Sequence, residues 1–453
     1  MDIKISICCA AFLGCAAIMN GQTEAGKGEP AAEVCIEDCY SAVERNWPTV
    51  RQYGLIDRSE EYTLANAARA YIPQVSFSAR AGWQSDVTKF SIDRDKLSQS
   101  QFGALLDADQ VESMLPSISK DQYVANIEIS QTIWDGGAVK AQREAAKADA
   151  ELQRKNLDSD IYGLRSKVND LYFGILLLQE NADRCRILTA TAQENLDMAN
   201  SCREQGLVGQ DDVDAIKLQV LSLRQQNEKL SATRLSYIRM LAALTGLQMD
   251  GDTEFAKPEE CLPPEGGIRR PELAAFEAGM RQIDAGMSQL NTAVTPKFGL
   301  YVTGGYGRPG LNMLDNSFRP YLTAGVRMQW NIAGFYNLKS NRRLLENRRR
   351  QIEIQRDAFL VGTEMDMIRE NDGIRSLIVQ IRYDNEIEEL RRSVRIAGEK
   401  KLSEGTISGK ELATLINDEL AAGVDRAAHE IEMLHAVYNL RYAQGFINNM
   451  SKN

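Results

Sequence analysis

The sequence predicts an internally duplicated α+β fold, each half joining two membrane-length β-strands to two very long helices. Three observations carry this expectation. The segment Gly206-Leu207-Val208-Gly209-Gln210-Asp211-Asp212-Val213 returns about 200 residues later as Gly405-Thr406-Ile407-Ser408-Gly409-Lys410-Glu411-Leu412, so the chain is read as repeats before anything else. Tyr71-Ile72-Pro73-Gln74-Val75-Ser76-Phe77 likewise pairs with Val294-Thr295-Pro296-Lys297-Phe298-Gly299-Leu300, each opening a run of alternating apolar and polar residues. Between these landmarks lie stretches of helical periodicity far longer than the globular mean of about 12 residues.

In chain order, residues 5–18 form an apolar run after Lys4, followed by Asn20-Gly21-Gln22. The run is too short to span a bilayer and sits where an export signal belongs, so residues 1–21 are read as a signal peptide. Phe12-Leu13-Gly14-Cys15 also resembles a bacterial lipobox, which makes Cys15 the candidate lipidated residue. The first repeat then runs over 22–246 and the second over 271–450. Residues 247–270, with Pro258, Pro263-Pro264 and Gly266-Gly267, form the linker. Shorter helices at about 36–71 and 271–293 precede the two strand pairs.

Four segments alternate with period two, the mark of a strand with one apolar face. Val75, Phe77, Ala79, Ala81 and Trp83 oppose Gln74, Ser76, Ser78, Arg80 and Gln84 in the first, while Ala125, Ile127, Ile129 and Ile133 oppose Asn126, Glu128, Ser130 and Thr132 in the second. In the third, Phe298, Leu300, Val302 and Tyr306 oppose Lys297, Gly299, Thr303 and Gly305. In the fourth, Leu322, Ala324, Val326, Met328 and Trp330 oppose Thr323, Arg327, Gln329 and Asn331. Each approaches the roughly 10 residues a tilted membrane strand needs, with aromatic residues near the ends. A soluble sandwich edge would not need a wholly polar second face on every strand; a wet lumen does. Residues 85–122 are a long polar loop, and 307–320 a short one.

From Ala138 to Gln205 there is no proline, and Ile161, Leu164, Val168, Leu171, Ile175, Leu178, Ala182 and Cys185 keep 3,4 spacing. That is a coiled-coil seam on a rod of about 100 Å. The return helix carries Val213, Ile216, Val220, Leu223, Leu230, Tyr237, Leu241 and Leu244, interrupted by Asn227 and Arg234. The second half repeats the arrangement over about 338–403 and 410–448. Glycines at the turns allow a left-handed residue to end one helix, and Asp211 or Ser408 can cap the next.

Four strands cannot close a barrel, and unpaired edges are not tolerated in hydrocarbon. The chain must therefore pool strands with copies of itself: two copies would fill the interior with side chains, and three would leave a channel. The long hairpins would continue that barrel as a helical tube.

The two tip sequences, Gln131-Thr132-Ile133-Trp134-Asp135-Gly136-Gly137, the Pro73 and Pro296 junctions, and Leu241-Ala242-Ala243-Leu244-Thr245-Gly246 together resemble the TolC-like outer-membrane efflux family across essentially the whole mature chain. The resemblance implies a homotrimer with a twelve-stranded barrel in outer-membrane lipid. It also implies a periplasmic α-barrel of coiled-coil hairpins, and tips that meet a periplasmic adaptor protein linked to an inner-membrane pump. By position the tips are Gly206, Leu207, Val208, Gly209, Gln210 and Asp211, and Gly405, Thr406, Ile407, Ser408, Gly409 and Lys410. Leu207, Val208 and Ile407 are then expected at an exposed apex. The resemblance further implies acids at the periplasmic entrance, for which Asp197, Glu204, Glu399 and Glu404 are the candidates, although the two copies offer no matched pair. Asp135, Gly136 and Gly137 read as a strand-to-helix pivot. Gly334, in the shortened Asn331-Ile332-Ala333-Gly334-Phe335, reads as its counterpart.

The remaining chemistry is sparse. Net charge is −10 with acids and bases interspersed, which argues against nucleic acid as a partner. The two histidines, His429 and His435, stand six apart on different helix faces, unlike a zinc pair. Of the eight cysteines, Cys35, Cys39, Cys185, Cys202 and Cys261 lie beyond the signal; Cys185 and Cys202 are about 25 Å apart on one helix and cannot bridge. Arg342-Arg343 and Arg348-Arg349-Arg350 read as a solvated face among acids. No metal, cofactor or nucleophile with its base is expected, so the protein is read as a conduit and not an enzyme. The alternatives are a non-conducting periplasmic coiled-coil scaffold or tether, and a type I protein-secretion duct in place of a small-molecule one.

Overall fold

The structure, a computed structural model, describes residues 33–87, 119–206, 208–259, 262, 266–313 and 315–446. The signal segment, Cys15, Leu207, Cys261 and most of the 85–122 loop lie outside them. Helix α1 (Ile36–Asn46) leads through a 3-10 turn at Pro48–Arg51 into α2 (Gln52–Ala68). The single helix expected over 36–71 is thus divided. Pro48 has no amide to donate and pushes Trp47 to an extended conformation (ψ 132°), so α1 ends there. Strands β1 (Gln74–Trp83) and β2 (Asp121–Trp134) follow, then α3 (Ala138–Glu204) and its return α4 (Gln210–Thr245). After the linker come α5 (Pro271–Thr292), β3 (Lys297–Arg308), β4 (Arg319–Gln329), α6 (Gly334–Ser403) and α7 (Gly409–Gln444).

The four strands form one antiparallel sheet in the order β1-β2-β3-β4, leaving β1 and β4 as edges. Its register aligns the apolar rows: Phe77 faces Ile127, Val75 faces Ile129, Ile129 faces Val302, and Val302 faces Ala324. Val75, Phe77, Leu322 and Val326 are 69, 71, 71 and 72% exposed, so the protein's own helices do not cover this face. The opposite face is a polar lattice. Arg327 reaches across β3 to Glu128 (Nη1–Oε1 2.8 Å), its guanidinium lying 4.7 Å from the Tyr301 ring. Tyr321 donates to Asn126 at 2.6 Å. Gly305 and Gly325 stand opposite Tyr321 and Tyr301 in the register, and a Cβ at Gly305 would come within 2.3 Å of the Tyr321 ring. Glycine on this face lets a cross-strand tyrosine lie flat against the wall.

Aromatic residues collect at both ends of the apolar face. Tyr123, Tyr306 and Phe318 cluster at one rim; Trp134 with Phe298 and Trp330 with Phe335 mark the other. This is the distribution of a sheet whose ends lie at two bilayer interfaces.

Helices α3 and α6 contain 67 and 70 residues, each about 100 Å long. The α3 seam is buried as its spacing requires, with Val168, Ile175 and Cys185 fully enclosed, and it continues through Leu188, Ala192, Ala199 and Cys202. The main apolar core gathers α1, α3, α4 and α7 around Tyr172, Phe173, Leu241 and Leu434. A second core runs to the hairpin tips through Ile216, Leu223, Leu402, Leu412 and Ile416.

Short helices are joined end to end with long ones. At the end of α4, Gly246 adopts φ 73°, Asn46 Nδ2 donates to Thr245 O at 2.9 Å, and α2 continues beyond. At the end of α7, Gly445 adopts φ 75°, Arg269 N donates to Gln444 O at 2.7 Å, and α5 continues beyond. Arg270 fills that second junction, 4.6 Å from the Tyr442 ring and 5.0 Å from the Phe359 ring. The interruption read at Arg234 also has a purpose: its guanidinium donates to Gly251 O and Thr253 O, both at 2.7 Å, tying the linker to α4.

Candidate functional site: hairpin tips and strand–helix pivots

The two tips share one backbone plan. Helix α3 ends at Gly206 (φ 76°), whose amide donates to Arg203 O at 2.9 Å. Helix α6 ends at Gly405 (φ 70°), whose amide donates to Leu402 O at 2.9 Å, while Thr406 N reaches back to Lys401 O at 2.8 Å. Left-handed residues of this kind close a helix with little strain only if they are glycine. Ser408 then caps α7 reciprocally: Glu411 N donates to Ser408 Oγ at 3.3 Å, and Ser408 N to Glu411 Oε2 at 3.0 Å.

At the first tip the capping carboxylate is Asp212, one residue beyond the Asp211 expected. Its Oδ2 accepts from Gly209 N at 3.2 Å, because a residue at the third helical position can reach back to the cap amide and the second cannot. Its Oδ1 accepts from Gly409 N of the other tip at 2.7 Å. One carboxylate therefore satisfies the N-termini of both return helices, where orphan amides and the helix dipole favour an anion. The approach is close: a Cβ on Gly409 would lie 2.4 Å from the Asp212 carbonyl oxygen. Val208 and Ile407, expected at an exposed apex, are half-buried against the tip core, leaving Gln205, Gly206, Gly209, Gln210, Asp211, Glu404, Gly405, Thr406 and Lys410 outermost. Short apolar side chains beside two converging helices find partners there and turn inward.

The four acids do not form one collar in the protomer. Glu399 is half-buried between the hairpins, accepting from Asn195 Nδ2 at 3.0 Å and paired with Arg395. Asp197, Glu204 and Glu404 are exposed, and among the described residues no cation lies within 4.0 Å of them. Asp197 accepts from Gln193 at 3.2 Å. Above them the hairpins are clamped by charges that sequence reasoning missed. Arg184 of α3 meets Glu388 of α6 at 2.6 Å, and Arg426 of α7 meets the other Glu388 oxygen at 2.5 Å. Burial opposes ionisation of Glu388, but Arg184 and Arg426 outweigh it and hold the carboxyl below its usual range. Glu419 is buried and paired with Arg395. The one available signal was Gly423 inside α7: a Cβ there would lie 2.5 Å from Arg184 Nη1.

The pivots differ in construction. At the first, Gly136 (φ 67°) and Gly137 (φ 85°) turn the chain out of β2. Asp135 caps α3 through Gly137 N at 2.9 Å and Val139 N at 2.6 Å. At the second, Gly334 is the first residue of α6 with no left-handed residue beside it, and Asn331 Oδ1 accepts from its amide at 3.2 Å. What Gly334 provides is room, since its Cβ would lie 2.9 Å from Val294 Cγ1. His429 pairs with Asp384 at 2.6 Å and His435 lies 3.1 Å from Asp170, contacts on two different helices. Burial pushes the Cys39 thiol up to about 12, that of a packing residue.

A duplicated, edge-exposed sheet carried on two long hairpins also recurs among known proteins. Residues 41–247 match the outer membrane efflux protein family. The pyoverdine export outer membrane protein OpmQ of Pseudomonas putida is 23% identical over 227 residues, 48% of this chain and 48% of OpmQ, so the chain spans about half the length of the curated relative it matches. The outer-membrane channel OprN superposes over 90% of this chain and 89% of its own with a TM-score of 0.66 at 14% identity. VceC of Vibrio cholerae covers 90% and 96% with a TM-score of 0.64 at 13% identity. CmeC of Campylobacter jejuni covers 90% and 85% with the same score and identity. These structural likenesses are of fold. The family match over 41–247 and these folds show what the chain is similar to, the outer membrane efflux proteins.

Proposed function

We propose that the protein is the outer-membrane exit duct of a tripartite efflux or secretion system, working as a homotrimer through which cargo passes unaltered. The observation that carries this reading is the sheet: four strands in one register, one face apolar and bare, the other polar, with β1 and β4 unpaired. Edges in hydrocarbon must be closed, and three copies close a barrel wide enough to conduct. A non-conducting tether has no use for a polar face 4 strands wide, and the relative named for pyoverdine export also favours a duct.

In this reading the outermost residues of 206–211 and 405–410 receive a periplasmic adaptor joined to an inner-membrane pump. Because Asp212 joins the tips, the adaptor meets them as a pair. Asp197, Glu204 and Glu404, repeated in each copy, would place negative charge at the periplasmic entrance, where it favours cations. Residues 1–21 direct export, with Cys15 the candidate lipid anchor, and Asp135, Gly136, Gly137 and Gly334 set the barrel-to-tunnel angle. Purified protein in planar bilayers tests the reading: unitary conductance is expected once the tips are loosened by Asp212→Ala. An inserted oligomer that never conducts would remove the duct and leave the tether.

A further inference from the structure

We infer that the first turns of α6 hold anionic phospholipid headgroups of the leaflet bordering the helical end of the sheet. The inference rests on the channel reading, since it takes the apolar sheet face to be in lipid.

The orientation of α6 follows from the rim. Trp330 continues the outward row of β4 after Val326 and Met328, and its Nε1 donates to Val294 O at 2.9 Å. Phe335, in the first turn of α6, packs edge-on against it with ring centroids 6.5 Å apart, so Phe335 faces the lipid side. Counting about 100° per residue from Phe335, Lys339 and Arg342 fall within about 40° of it, whereas Leu344 is on the opposite side. At about 1.5 Å per residue, Lys339 and Arg342 stand roughly 6 and 10 Å below the aromatic rim, at headgroup depth.

The charge there is one-sided. From 339 to 350 the chain carries Lys339, Arg342, Arg343, Arg348, Arg349 and Arg350 against a single acid, Glu346. This corrects the expectation of a face interspersed with acids. Arg349 pairs with Asp284 and Glu353, but among the described residues no carboxylate lies within 4.0 Å of Lys339 or Arg342. Both are exposed. The matching end of α3 is balanced, its Lys140 facing Glu144 at 4.0 Å. An unneutralised pair of cations continuous with a lipid-facing aromatic rim fits phosphate-bearing headgroups, with the long side chains rising toward them.

Arg348 serves as the control: it lines an apolar groove with Leu290, Leu344 and Leu345, well around the helix from Phe335. The test reconstitutes full-length protein in phosphatidylethanolamine vesicles with and without phosphatidylglycerol, then measures lipid retained after extraction by native mass spectrometry. Each cation near an anionic surface strengthens headgroup binding about fivefold, so Lys339→Gln with Arg342→Gln is expected to lower phosphatidylglycerol preference about 25-fold, and Arg348→Gln not at all. Conductance serves as an independent readout, and the double variant is expected to conduct as wild type. Equal retention by the double variant, or equal loss in the Arg348→Gln control, overturns the inference. Loss of the oligomer in lipid-free detergent also overturns it, by assigning the cations to a neighbouring copy. A chain that inserts into neither vesicle refutes the channel reading and the lipid contact together, whereas normal conductance with unchanged lipid preference refutes the contact alone.

Discussion

Gly409→Ala tests whether the two tips act as one unit. The added Cβ would sit 2.4 Å from the Asp212 carbonyl oxygen, 2.9 Å from its carbonyl carbon and 3.0 Å from its Cα, all backbone atoms that cannot rotate away. Restoring ordinary contact requires the tips to part by about 1 Å. The 2.7 Å bond from Gly409 N to Asp212 Oδ1 then stretches to about 3.7 Å, beyond hydrogen-bonding range. A bond to a charged acceptor contributes about 1.5–3 kcal/mol, so local opening should become roughly ten- to a hundredfold more frequent. Hydrogen exchange over 206–216 and 405–416 reads this directly. Faster exchange is expected in both segments, although only one is altered, while the α3–α4 core near Leu223 stays protected. Acceleration confined to 405–416, or no change, would refute the shared carboxylate. Gly409 is the first helical residue of α7 and is not left-handed, so backbone strain at residue 409 does not confound the result.

Other outcomes follow from the same geometry. Val326→Arg puts a cation on the lipid face at a cost of about 2–4 kcal/mol near the midplane, so insertion into vesicles should fall sharply, while Thr323→Arg on the polar face should insert normally. Gly405→Val forces a β-branched residue to φ near 70°, costing more than about 1–2 kcal/mol; export from cells should fail while native electrophoresis still shows the intact oligomer. Glu388 sits below its usual range, so its clamp is fully present above that range and is lost as pH falls through the lowered value. Exchange over 184–190 and 420–430, corrected for intrinsic rate, should stay flat at neutral pH and rise in acid, and Glu388→Gln should make it high throughout.

The parts of this molecule legible in its sequence are those set by period and by backbone chirality. Alternation at Val75, Phe77 and Ala79 needs no partner to be read, and the register with Ile129, Ile127 and Ala125 follows once one face is apolar. The seam from Ile161 to Cys185 is equally local, as are the turns at Gly206 and Gly405, because an unstrained left-handed helix end admits little but glycine. What stayed hidden depends on distances across the chain. Nothing near Asp212 in the sequence reports that its second oxygen meets Gly409, or that Val208 and Ile407 have a core to turn into. Nor can a glycine inside a helix reveal which cation fills its place, as Arg184 does beside Gly423. The basic run on α6 is exposed, as read, but its orientation was hidden for the same reason. A list of arginines and glutamates fixes composition, but only the contact of Phe335 with Trp330 fixes the phase of the helix against the membrane. Phase decides whether Lys339 and Arg342 meet water, a neighbour or a phosphate. A duplicated sequence can thus specify the same rods and strands twice while assigning different charge to each copy: acids match bases over 140–151 at the start of α3, whereas Glu346 is the single acid over 339–350 at the start of α6.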